Sequence, residues 1–200
     1  MHFVRYQVAR DQAVWGEVRD NRVHCLGPAP PWEGRQPTGD ESHLDHVTLL
    51  APACPTKIVA IGLNYRDHAA EMGADLPSEP LLFLKPPSAI VGPEAEILLP
   101  QASARIDYEG ELAIVIGRRA SRVSPEDARR HIFGYTCLND VTARDLQAKD
   151  GQWSRAKGFD TFACVGPAIA AAVDPSDLAI ETWLNGTRVQ ASRTSQLIFG

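Results

Sequence analysis

Cysteine is scarce and scattered here: Cys25, Cys54, Cys137 and Cys164 form no Cys-x-x-Cys pair and carry no histidine spacing of the zinc type. That excludes a thiolate zinc knot and fits reduced, mostly buried thiols in a cytoplasmic protein. Positive charge is also in short supply, with 20 Lys and Arg against 25 Asp and Glu and a formal net charge of −5. No Lys/Arg-rich run is interleaved with aromatics, so the electrostatic footprint of a nucleic-acid binder is missing. No apolar stretch approaches the roughly 18 residues of a membrane span, and the N-terminus, Met1-His2-Phe3-Val4-Arg5-Tyr6, lacks the apolar core of a signal peptide. Neither nucleic acid nor membrane is therefore expected as a partner. Absent too are a Gly-x-Ser-x-Gly elbow, a Gly-x-Gly-x-x-Gly turn after a strand and a P-loop, which removes an acyl-enzyme serine and the common nucleotide cradles.

What is present reads as a β-rich α+β chain. Phe3 to Val8 and Val14 to Val18 alternate apolar and polar residues, Val23-His24-Cys25-Leu26 follows, and Gly27 to Gly39 is rich in Pro and Gly. Residues 1–50 thus read as a small β meander with a linker, and 55–200 as the main domain. In the latter, Ile58 to Ile61, Leu81 to Leu84, Ile97 to Leu99 and Leu112 to Ile116 are short apolar runs expected to be strands. Helical pieces are expected at Tyr65 to Met72, Pro125 to His131 and Thr142 to Lys149, the second opened by Ser124 as N-cap and Pro125 in the first position. Asn185-Gly186 between Leu178 to Leu184 and Thr187 to Ala191 predicts a hairpin with a type I′ turn.

Three carboxylates carry the chemical signal. Glu109 and Glu111 sit two apart in Asp107-Tyr108-Glu109-Gly110-Glu111-Leu112, so a strand aims both at one face, and Asp140 lies in Asn139-Asp140-Val141-Thr142-Ala143-Arg144-Asp145. Acids at this spacing form either a solvated face or a cation site. The apolar run that follows favours the second, because ionised carboxylates at the mouth of a core are costly unless paired or metal-bound. Oxygen donors of this kind suit Mg²⁺ or Mn²⁺ better than zinc.

Other groups remain open to two readings. His68 and Glu71, three apart, place imidazole and carboxylate side by side on a helical turn, as a surface pair or as an oriented general base. Lys157 is a solvated loop lysine or a cation for a substrate carboxylate or enolate. Lys85 ends an apolar strand, an unusual place for an ammonium. Arg144 and Gln147 share a helix face, as structural partners or as substrate contacts, and His131 reads as structural.

Taken together, Gly62-Leu63-Asn64-Tyr65-Arg66-Asp67-His68 with Glu71, Leu84-Lys85-Pro86, Asp107 to Leu112, Asn139 to Asp145, Lys157, Gly166-Pro167, Asn185-Gly186 and Arg193-Thr194-Ser195 resemble the fumarylacetoacetate hydrolase family. The resemblance covers roughly Lys57 to Gly200, and the segment before it looks like that of bacterial acylpyruvases and hydroxyhepta-dienedioate isomerases. It implies a mixed β-roll, a Mg²⁺ or Mn²⁺ site formed by Glu109, Glu111 and Asp140, and a His68–Glu71 dyad that activates water. It further implies that Lys157, as a catalytic cation, and Gln147 contact the substrate, and Arg144 and Lys85 are expected beside them as candidate substrate contacts. The activity implied is hydrolytic C–C cleavage of a 2-oxo or 2,4-dioxo acid in aromatic-compound catabolism, by a homodimer. Isomerisation or decarboxylation on the same site is the alternative. Similar proteins continue for several tens of residues beyond Phe199, so the chain is expected to lack a C-terminal part of the roll, and a non-catalytic remnant is the rival from another class.

Overall fold

The computed structural model describes residues 1–200. The N-terminal meander forms as its alternation dictates: β1 (His2–Ala9), β2 (Gln12–Arg19) and β3 (Arg22–Gly27) are antiparallel neighbours that bury Phe3, Val4, Tyr6, Val14 and Val23. Asp20 and Asn21 both take positive φ in the β2–β3 turn, a conformation their short polar side chains tolerate. β4 (Glu41–His43) pairs with β3, and β5 (Thr48–Leu50) pairs with the second half of β1.

The rest of the chain runs β6 (Ile58–Gly62), α1 (Arg66–Glu71), β7 (Leu81–Lys85), β8 (Ile90–Val91), β9 (Ile106–Asp107), β10 (Gly110–Ile116), α2 (Pro125–Ala128), β11 (Ile132–Asp140), β12 (Thr142–Ala143), α3 (Arg144–Asp150), α4 (Ser154–Gly158), β13 (Ala163–Ala170), β14 (Ala179–Leu184) and β15 (Thr187–Arg193). The meander is not a separate layer. One nine-stranded sheet has the order β10-β11-β13-β1-β2-β3-β4, with β5 on β1 and β8 on β13. Phe3, fully buried, packs with Val115, Ile169 and Leu26 and thereby ties strands from both ends of the chain into one core. β6–β7, β9–β12 and β14–β15 form separate two-stranded pairs.

The class is α+β and strand-rich, as expected. Several local expectations change. Ile97-Leu98-Leu99 is not a strand: Leu98 and Leu99 are exposed, and the Leu98 N–H donates to Thr161 Oγ1 at 2.8 Å instead of to a ladder. The helix expected from Thr142 starts two residues later, because Thr142 and Ala143 pair with Asp107 and Ile106. After Ala128 the second helix tightens into a 3₁₀ turn, Arg129–His131. Ser124 caps its start, accepting from the Asp127 N–H. The Asn185-Gly186 turn forms with positive φ at both residues, as a type I′ hairpin requires. Two of the four free cysteines, Cys54 and Cys137, are exposed and only Cys25 is buried, so the thiols are less hidden than expected. No helix is long and apolar enough to cross a membrane.

Candidate active site

Backbone pairing brings the three carboxylates together. β10 and β11 are antiparallel, with Gly110 opposite Asn139 and Glu111 opposite Leu138. Glu109 sits in the break between β9 and β10, not within a strand, and is pinned there on both sides. Its N–H donates to Asn139 Oδ1 at 3.0 Å, and its carbonyl accepts from the Asp140 N–H at 2.8 Å. Asp140 is the last residue of β11, and β12 then turns the chain so that α3 starts beside Asp107.

Three cations meet these acids. Lys157, on α4 and only 3% exposed in its side chain, donates to Glu109 Oε2 at 2.7 Å and to Asp140 Oδ2 at 2.6 Å. Lys85, at the end of β7 and fully buried in its side chain, donates to Asp140 Oδ1 at 2.5 Å. Arg144 donates to Glu109 Oε1 at 2.5 Å, to Asp107 Oδ2 at 2.9 Å and to Gln147 Oε1 at 2.7 Å. Such charge-assisted bonds are stronger than neutral ones, and most so around Lys85 and Asp140, where burial excludes water. The Phe83 ring supports this arrangement, lying 4.9 Å from the Lys157 Nζ.

Glu111 takes no part in the lattice. Burial, and after it repulsion from Glu109 and Asp140, pushes its carboxyl up to about 8, with Lys157 opposing. Glu109 goes the other way: burial pushes it up, but Lys157 and Arg144 together hold it below the usual range. Burial lowers the Lys85 ammonium even against the attraction of Asp140. The Tyr65 hydroxyl, at the start of α1, is raised by burial and then by Glu111, which places the head of that helix next to the site.

As the side chains stand, no three His, Cys, Asp or Glu groups close a shell around one point, since ammonium groups hold the oxygens of Glu109 and Asp140. The donor chemistry nonetheless fits a hard divalent ion. Three carboxylates share one part-buried patch, and the one without a cationic partner is penalised by the other two, a repulsion that a bound cation reverses.

The residues singled out from the sequence fall into two groups. Glu109, Glu111, Asp140, Lys157, Lys85, Arg144 and Gln147 come together. His68 and Glu71 stand apart from the lattice: His68 Nδ1 is 3.8 Å from the Glu71 carboxylate, and their side chains are 54% and 81% exposed. Sequence reasoning gave no role to Asp107, Asn139 or Tyr65. All three lie inside the motifs already quoted, so position was available, but the groups they meet at the site are tens of residues away.

The structure is thus a strand-rich fold in which acids from the ends of β10 and β11 meet lysines from β7 and α4 in one ionised cluster. The chain belongs to the family described as Fumarylacetoacetate (FAA) hydrolase C-terminal, whose model matches residues 57–200. A second model, Rv2993c-like, N-terminal, matches residues 1–52. A relative from Archaeoglobus fulgidus is 57% identical over 80% of this chain and 64% of its own length. The mitochondrial oxaloacetate tautomerase of Xenopus laevis is 44% identical over 77% of this chain, which spans about half of that protein (50%). Among solved structures, 5-carboxymethyl-2-hydroxymuconate delta-isomerase from Mycobacterium smegmatis superposes with a TM-score of 0.90 at 41% identity, over 98% of this chain and 77% of that one. Maleylpyruvate hydrolase from Sphingobium sp. SYK-6, in complex with manganese(II) and pyruvate, gives a TM-score of 0.77 at 28% identity, over 99% of this chain and 78% of that one.

Proposed function

We propose that this chain carries the divalent-cation site of an enzyme that enolises 2-oxo acids, and that the reaction is tautomerisation or isomerisation. The observation that carries this reading is the part-buried Glu109, Glu111 and Asp140 patch backed by the buried Lys157 and Lys85. Glu109, Glu111 and Asp140 would hold Mg²⁺ or Mn²⁺, which when bound supplies Lewis acidity toward the oxygens of a 2-oxo acid. Lys157 presents positive charge where enolate charge develops, and Arg144, itself held by Asp107 and Gln147, keeps Glu109 in place by donating to it directly. Tautomerisation needs enolate stabilisation but no activated water, which suits a site whose candidate water-activating imidazole, His68, is exposed. The Xenopus tautomerase, the mycobacterial isomerase and the manganese- and pyruvate-bound hydrolase support the substrate class and the cation.

Hydrolytic C–C cleavage is the second reading, favoured by one observation: Tyr65, at the head of the helix that carries His68, has its hydroxyl raised by burial and then by the Glu111 charge, so that helix begins near the acids. The test follows the enol–keto interconversion of oxaloacetate by absorbance and pyruvate release from acylpyruvates, with Mg²⁺ or Mn²⁺ and with a chelator. Metal-dependent interconversion that is lost in Glu111→Gln and kept in His68→Ala is expected. Calorimetric cation binding that is undiminished in Glu111→Gln would falsify the site. Pyruvate release abolished by His68→Ala would establish the hydrolytic reading instead.

A further inference from the structure

Away from the carboxylates, one guanidinium stands without a counter-charge where its surroundings call for one. Arg5, on β1, is half-buried; its Nε is buried and makes no hydrogen bond. A buried donor left unpaired costs free energy, and the terminal nitrogens of the same guanidinium, which have no hydrogen-bond partner or carboxylate either, are the ones a ligand can reach. Its flat face is already taken: the guanidinium lies 5.3 Å from the centre of the Trp15 ring, and that ring is fixed by its Nε1–H donating to the Pro52 carbonyl at 3.2 Å. A stacked guanidinium has its in-plane N–H groups left to offer, the edge that matches the two oxygens of a carboxylate.

Arg5 lines an open depression of about 340 Å³ whose other walls are largely apolar, among them Leu50, Pro87, Ile90 and Val91, with Cys54 also in the lining. The walls are held by the sheet. Leu50 is the β5 residue opposite Arg5, and Ile90 and Val91 pair with Ala163 and Cys164 of β13. Gly92 seals one side, since a Cβ there would come within 2.7 Å of the Ala51 nitrogen. The volume lies at the small end of the range for small-molecule sites, roughly 300–1,000 Å³.

We propose that this depression binds a small monocarboxylate with an apolar body, the carboxylate on Arg5 and the carbon chain against Leu50, Pro87, Ile90 and Val91. Inorganic phosphate would satisfy the guanidinium but leave the apolar walls wet; a neutral apolar molecule would fill the walls but leave Arg5 unpaired. The site is distinct from the carboxylate patch and does not rest on the reading of that patch. It does share a segment with it, because Pro87 follows by two residues the lysine that reaches Asp140.

Cys54 supplies a readout that needs no turnover, being an exposed thiol in the lining. Its alkylation by iodoacetamide is followed by peptide mass spectrometry on the full chain, with Cys137, also exposed, as the internal control. Butyrate and benzoate are the probes, with butanol and inorganic phosphate as controls. Carboxylate should slow Cys54 alkylation about threefold at a concentration twice its dissociation constant, and leave Cys137 unchanged. Protection should vanish in Arg5→Gln, persist more weakly in Arg5→Lys, and be intact in Glu111→Gln, which separates this pocket from the cation site. The proposal is overturned if carboxylates give a folded parent no protection, if Arg5→Gln is protected equally, or if butanol or phosphate protects as well as butyrate.

Discussion

Lys85 is the residue on which the candidate site leans hardest, because its ammonium is fully buried and its partner Asp140 is nearly so. Removing one member of a buried ion pair leaves the other uncompensated, at a cost of 3–5 kcal/mol in the general case. Asp140 keeps Lys157 on its second oxygen, so Lys85→Met should cost about 3 kcal/mol, the lower end of that range, measured as a shift in urea midpoint with an unchanged slope. A shift under about 0.5 kcal/mol would place Lys85 among weakly contributing surface ions. The sequence already exposed the acids, since Glu109, Glu111 and Asp140 stand in short motifs bordering apolar runs. It did not expose which ammonium neutralises which acid: Lys85 and Asp140 are 55 positions apart, and Lys157 and Glu109 are 48 apart. Local patterning carries no information about such pairs. His68 and Glu71 illustrate the converse, for their spacing put them side by side but could not say which way α1 faces.

The β14–β15 hairpin is the element most legible in advance, since Asn-Gly supplies positive φ at both turn positions. How it docks was not legible. Gln190 clamps Gly110 from both sides, accepting from its N–H at 2.8 Å and donating to its carbonyl at 2.7 Å, and a Cβ on Gly110 would strike Thr182 Oγ1. Gln190→Ala should therefore raise amide exchange across β14 and β15 severalfold while leaving β1 to β3 unchanged; uniform protection would show that the clamp is dispensable. At the base of the hairpin, Arg193 and Ser195 hold Asp177, whose carboxyl is lowered to about 2. A depressed carboxyl stabilises the fold above its unfolded value of about 3.9, and that contribution is lost as pH falls through the folded value. Asp177→Asn should thus melt slightly below the parent at neutral pH, and the gap should close between about pH 4 and pH 2. A gap independent of pH in that window would mean the Arg193 pairing contributes nothing through charge. Strand Ile97 to Leu99 failed because an apolar run alone does not supply a neighbour to pair with.

At the scale of the whole molecule the N-terminal meander and the family segment share one sheet, with β1 lying between β13 and β2. Phe3 sits at that junction, 5.2 Å from the Phe133 ring centre and packed with Ile169 and Val115. Phe3→Ala should cost about 3–5 kcal/mol. Tryptophan fluorescence and far-ultraviolet dichroism should still report one coincident transition, because Trp15 and Trp32 belong to the same sheet-bound core. Two separated transitions would show that the meander unfolds by itself. Composition and local pattern by themselves determined the strand-rich class, the hairpin and the capped second helix, since each depends on residues within a few positions of one another, and they marked Glu109, Glu111 and Asp140 as candidate donors. Strand order, the cations assigned to each acid, the orphaned Arg5 edge and the outward face of α1 were set only when the chain folded. Period and spacing say which face of an element is buried, whereas the neighbour across that face is chosen by contacts between residues far apart in sequence.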